Sequence, residues 1–194
     1  EIGSGLVGSE MCIRDRICIT GNLGAAYMGL QLLEREKRVL HDVENPEPQF
    51  AGHEYLLEKY LKPRARRDVI AALAEEKLRP TAMIDLSDGL ASDLMQICKS
   101  SACGARIYLE RIPIARQTTA LAEEMHADPV VAALNGGEDY ELLFTVPLSM
   151  QEQIMKSGLV DVIGHITPAS TGCYLVTPDG QDIKLKAQGF PDPA

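Results

Sequence analysis

Apolar positions fall into short blocks whose spacing changes along the chain, and each spacing predicts an element. ICIT, residues 17–20, is a continuous apolar run closed by Gly21 and predicts a buried strand. Residues 24–40 then place Ala26, Leu30, Leu33 and Leu40 near one helical face, with EREKR turned to solvent. Pro46 and Pro48 among polar residues make 41–52 a loop. A short helix over 54–60 stops ahead of Pro63, because proline disfavours helical geometry in the residue before it. Residues 66–77 predict a further helix, with Val69, Ile70 and Leu73 inward.

The second half repeats this alternation. TAMID, 81–85, reads as a strand, and 89–100 as a helix with Leu90, Leu94, Ile97 and Cys98 at i, i+4, i+7 and i+8. Ile107 and Leu109 alternate in a strand over 105–109, and helices follow over 117–125 and 129–134, the latter with Pro129 at its start. YELLFTV, 140–146, is a strand, 150–157 a helix, and 160–166 and 173–177 are strands. Asp179-Gly180 signals a hairpin into a last strand over 183–185. Strands and helices alternate early and strands pair late, which predicts an α/β domain: a mixed β-sheet with helices packed on it.

Residues 1–16, EIGSGLVGSEMCIRDR, hold neither period and no clear caps. They are expected to be a foreign or disordered leader that makes no packed contacts, leaving residues 17–194 as one α/β domain. Hydrophobic residues make up 45% of the 194, enough for a packed core. The net charge of -9, from 19 basic and 28 acidic residues, argues against a nucleic-acid partner, which calls for a basic face. The five cysteines include no CxxC pair and no zinc spacing, so reduced, mostly buried thiols in a cytoplasmic protein are expected. No apolar run approaches the length of a membrane helix, and no membrane partner is expected.

Three segments could carry chemistry. In IDLSDGLASDL, 84–94, an apolar strand ends at Asp85, and Ser87 and Asp88 enter a strongly amphipathic helix. Two carboxylates beside a helix amino terminus suit Mg²⁺, and free amides at that helix end would attract phosphate. The same residues also fit an N-cap and a turn. In NGGEDYELLF, 135–144, two glycines allow close backbone approach, and Glu138, Asp139 and Glu141 crowd three acids beside Tyr140. Such a cluster either meets cations or points to water. Gly21-Asn22-Leu23-Gly24 could cradle a phosphate, but it lacks a Walker or GxGxxG pattern and fits a tight turn better. The basic run 62–67, KPRARR, reads as a solvated helix start, and Phe190 could cap a pocket or simply pack.

ITGNLGAAYMGL, YLKPRAR, MIDLSDGLASDL, ACGARI, NGGEDYELLF and the closing GF, in this order, resemble the carboxy-terminal half of the thiamine-monophosphate kinase family. The resemblance runs from about residue 16 to 190 and implies the fold of the aminoimidazole ribonucleotide synthetase-like superfamily. IDLSDGL is shared across that superfamily, whereas GGEDYELLF is much more specific to the thiamine enzyme. It implies transfer of the terminal phosphoryl group of ATP directly to thiamine monophosphate. It further implies that Asp85 and Asp88 bind Mg²⁺, Ser87 contacts ATP, and Glu138 and Phe190 contact the thiamine substrate. No general base is implied, because the attacking phosphate oxygen, with a second pKa of about 6, is already largely deprotonated at neutral pH. The family's amino-terminal domain supplies further metal-binding aspartates and a homodimer interface, and neither is found in this chain. Little activity is therefore expected of the chain alone, and neither Arg14 nor Arg16 is assigned the family's ATP-contacting arginine. Another ATP-using member of the superfamily, or a non-catalytic fragment, are the alternatives.

Overall fold

The apolar run of β1 (Arg16–Thr20) is buried because strands flank it on both sides. β4 (Leu142–Val146) and β5 (Val160–Pro168) both pair with it antiparallel, in registers such as Cys18↔Phe144 and Ile19↔Asp161. The computed structural model describes residues 12–44 and 46–187. Among these, seven strands form one sheet in the order β2-β4-β1-β5-β3-β6-β7, with β2 at Ala82–Asp85, β3 at Cys103–Tyr108, β6 at Cys173–Val176 and β7 at Asp182–Lys184. Pairing is antiparallel except between β3 and β6, so the sheet is mixed, as the pattern predicted. The last two strands meet across Asp179-Gly180, where the Gly180 amide donates to the Thr177 carbonyl.

Side chains alternate across a strand, so the sheet has two faces to cover. Ile17 and Ile19 point to one face, where α4 (Leu90–Ser100) lays down Leu90, Leu94, Ile97 and Cys98. Cys18, Phe144 and Val146 point to the other, against Val69 and Leu73 of α3 (Arg67–Glu75) and Ile154 of α7 (Gln151–Lys156). A third apolar cluster joins α1 (Ala25–Val39), α2 (Glu54–Leu61), α5 (Arg116–Glu124) and α6 (Pro129–Asn135). Gly29 lets α1 and α2 touch: a Cβ there would stand far closer to the Leu56 carbonyl oxygen than van der Waals contact allows.

Three expectations need correction. The buried stripe of α1 is Ala25, Met28, Leu32 and Glu36, with Ala26 beside it, while Leu30, Leu33 and Leu40 are only half-buried. Glu36 can lie in that stripe because the Gln49 amide and Arg35 satisfy its carboxylate. Ile70 stays 46% exposed on the flank of α3, beside its buried neighbours Val69 and Leu73. The end of the leader packs. Asp15 is 3% exposed and accepts from the Cys12 amide at 3.0 Å and the Thr81 hydroxyl at 2.8 Å. The Arg14 amide donates to Ile166, and Arg16 opens β1. Residues 1–11 of the leader lie outside the described residues.

Candidate functional site

β2 lies at an edge of the sheet and ends at Asp85, opposite Leu142 of β4. The two chains keep pairing beyond the strands. The Leu86 amide donates to the Glu141 carbonyl at 2.8 Å, the Tyr140 amide to Leu86 at 2.9 Å, and the Glu138 amide to Ser87 at 2.9 Å. This ladder lays NGGEDYE against LSD, so the two sequence signals form one surface. Gly137 makes the approach possible: at φ 69° a Cβ would stand 2.5 Å from the Ser87 carbonyl oxygen. Glu138 and Tyr140 also adopt positive φ, 61° and 49°. Such left-handed residues cost about 1–2 kcal/mol each and persist where neighbouring hydrogen bonds over-determine them.

Alternation through these kinked residues splits the acids. Glu138 is exposed and accepts from the Tyr140 hydroxyl at 3.1 Å. That bond, with the charges of Glu138, Asp85 and Asp88, pushes the Tyr140 hydroxyl above its usual pKa. Asp85, Asp88 and Glu138 therefore share one electrostatic neighbourhood around the Tyr140 ring, and Asp85 and Asp88 are themselves exposed. Ser87 is half-buried between them.

Asp139 and Glu141 turn inward and hold the scaffold. Asp139 accepts from the Gly24 amide at 2.8 Å and the Ala26 amide at 3.2 Å, capping α1. Burial pushes its carboxyl up to about 6, against the pull of those amides and Lys59. Glu141, 2% exposed, accepts from Thr20 Oγ1 at 2.6 Å, Lys59 Nζ at 2.8 Å and Arg66 Nη1 at 2.5 Å. Burial works against its ionisation, but these donors outweigh it and hold the carboxyl below the usual range. The basic run is thus not wholly solvated, since Arg66 reaches the core-side carboxylate.

At both helix starts that could have cradled a phosphate, the amides are taken by the protein's own carboxylates. Asp139 takes the amides at the start of α1, which makes the GNLG segment a structural turn. At the start of α4, Asp93 Oδ2 accepts from the Ser87 amide at 3.1 Å and the Asp88 amide at 3.2 Å. Burial, with Asp88's charge adding, raises the Asp93 carboxyl to about 6. Sequence reasoning passed over Asp93. The signal was an acid one turn into the helix, where a carboxylate can fold back onto the entry amides.

Among the described residues no three His, Cys, Asp or Glu side chains are disposed to hold a metal ion. Asp85 and Asp88 offer two exposed carboxylates. That donor set fits Mg²⁺, which commonly takes one or two carboxylates and completes its shell with water and phosphate oxygens. Phe190 lies outside the described residues. No helix among them is long and apolar enough to cross a membrane.

Residues 15–173 match the family described as AIR synthase related protein, C-terminal domain. A thiamine-monophosphate kinase of Buchnera aphidicola (subspecies Schizaphis graminum) is 38% identical over 185 residues, covering 91% of this chain and 52% of the relative. A solved structure described as AaThiL complexed with AMPPCP and TMP superposes with a TM-score of 0.75 at 28% identity, covering 94% of this chain and 53% of the other. That of the thiamine monophosphate kinase from Aquifex aeolicus gives 0.70 at 28% identity, covering 92% and 54%. The chain spans about half the length of the curated relatives it matches.

Proposed function

We propose that this chain, which belongs to the AIR synthase related protein C-terminal domain family, forms the carboxy-terminal half of a thiamine-monophosphate kinase. In that reading a phosphoryl group passes from ATP to thiamine monophosphate in one in-line step. The observation that carries it is the backbone ladder joining Leu86–Ser87 to Glu138–Tyr140, which sets Asp85, Asp88 and Glu138 on one surface. The relatives' names and the complex with AMPPCP and TMP support the same reading.

Two polyanions must meet for this reaction, and their mutual repulsion is the main obstacle. Asp85 and Asp88 would hold Mg²⁺, whose positive charge offsets the phosphate oxygens of donor and acceptor. Ser87, between them, would donate its hydroxyl to ATP. Glu138 would stand against the cationic thiazolium ring, where opposite charges attract, and Tyr140 steadies its carboxylate through the hydrogen bond already formed. Phe190 would pack on the same ring. Asp93 keeps the loop bearing Ser87 and Asp88 in shape without touching substrate. No side chain needs to act as a base. A homodimeric cytoplasmic enzyme is part of this proposal.

The test is ADP release from ATP, Mg²⁺ and thiamine monophosphate by a protein of the relatives' length that carries this chain. Turnover is expected there, and little or none from the chain alone. D85N and D88N should each lower kcat about 100-fold or more, and E138Q should act mainly by raising KM for thiamine monophosphate. Unchanged turnover in both aspartate variants, or preference for an aminoimidazole precursor over thiamine monophosphate, would overturn the proposal.

A further inference from the structure

Three of the five cysteines converge at the end of the sheet away from the ladder. Cys98 sits on the inner face of α4, 3% exposed, within the core cluster against which Cys103 and Cys173 pack. Cys103 opens β3 and Cys173 opens β6. The register explains why they share a face. Cys173 stands opposite Ala105 in the parallel pair, and Cys103 lies two residues before Ala105 on the same side of the strand. That side is the one α4 covers, so Cys103 and Cys173 pack against the same core cluster that holds Cys98. Cys103 and Cys173 are half-buried, whereas Cys98 is buried, so a reagent in solvent meets the first two before the third. All five thiols are unbridged.

We infer that Cys98, Cys103 and Cys173 form a thiol-oxidation site, in which a hydroperoxide oxidises Cys103 or Cys173 and Cys98 closes the disulfide. Burial and ionisation both favour Cys103 and Cys173 as the first thiols to be oxidised. Interaction with Cys98 holds the Cys103 and Cys173 thiols below the usual range, while Cys98 itself is pushed up by those two neighbours and by burial. A partly exposed thiolate is the attacking species, and a neighbouring thiol within reach resolves the sulfenic acid.

The step balances with the hydroperoxide as the only oxidant. The thiolate of Cys103 or Cys173 attacks one peroxide oxygen, the O–O bond breaks, and the other oxygen leaves as water or an alcohol after taking up a proton. The resulting sulfenic acid is attacked by the Cys98 sulfur. Its S–O bond breaks, the S–S bond forms, and hydroxide leaves with the Cys98 proton as water. Two thiols lose two electrons and two hydrogens; the hydroperoxide is reduced by two electrons. The bridge ties the far end of the helix that starts at the Asp88 loop to β3 or β6. In a reducing compartment it is reversible by thiol exchange.

The experiment treats the reduced, purified chain with dilute hydrogen peroxide, alkylates the remaining thiols, and records intact mass and a peptide map. A loss of about 2 Da is expected, with a peptide pair joining Cys98 to Cys103 or Cys173, and with Cys12 and Cys18 still alkylated. In C98S the bridge should vanish and a sulfenic acid on Cys103 or Cys173 should be trapped by dimedone. The wild-type map alone decides the matter if C98S does not fold. Oxidation that begins at exposed Cys12, a bridge that omits Cys98, or five thiols that all remain alkylatable would each overturn the inference.

Discussion

The acids of EDYE behave differently because of where each side chain points, and this has measurable consequences. Burial pushes the Asp139 carboxyl up to about 6 in the folded chain, above the value of about 3.9 for an unfolded aspartate. The folded state therefore binds the proton more tightly. The stabilising effect of that proton is complete below about pH 4 and is lost as pH rises through about 6. D139N cannot ionise, so the stability difference between wild type and D139N should shift by roughly 2 kcal/mol between pH 4 and 7, with wild type losing as pH rises. Denaturant melts across that range would show it, and a flat difference would contradict the assignment. G137A adds a Cβ at positive φ against the Ser87 carbonyl and should cost roughly 2–4 kcal/mol, read from the same melts. The positions of Asp85, Ser87, Asp88 and Glu138 were readable from their motifs. The inward turn of Asp139 and Glu141 was not, because it depends on left-handed residues at Glu138 and Tyr140 that no periodicity announces. Asp93 was hidden for a similar reason: its role exists only once the helix entry folds back over it.

At the scale of elements, hydrophobic period located the strands and helices to within about two residues, which is what short amphipathic segments allow. It was weaker at choosing the buried stripe. In α1 the true stripe includes Glu36, a polar residue that a hydrophobicity pattern rejects, and its partners are the neighbouring Arg35 and the Gln49 amide of the following loop. Ile70 shows the opposite limit, since an apolar residue beside a buried stripe need not be covered. Glu141 is the clearest link between elements: its three donors come from β1, from α2 and from the residue just before α3. E141A deprives Lys59 and Thr20 of their acceptor and leaves Arg66 with Asp68 alone, and should cost roughly 2–4 kcal/mol, with E141Q intermediate. Equal stability of E141A and wild type in a urea titration would refute that role. G29L should separate α1 from α2 and lower the thermal midpoint, because the new side chain meets backbone that cannot step aside.

For the whole molecule, the mixed sheet and its helical cover were legible, because alternation followed by late strands leaves few arrangements. The strand order was not, since pairing across the chain leaves no local trace. That order places the earliest described strand inside the sheet: β1 lies between β4 and β5, and its Thr20 binds Glu141, 121 residues further on. High contact order of this kind slows folding, toward milliseconds to seconds. During synthesis ICIT must wait, unpaired and apolar, until residues 142–168 have left the ribosome. Nascent chains halted before β4 should therefore remain protease-sensitive and engage chaperones that hold exposed apolar segments, whereas release of β5 should bring protection abruptly.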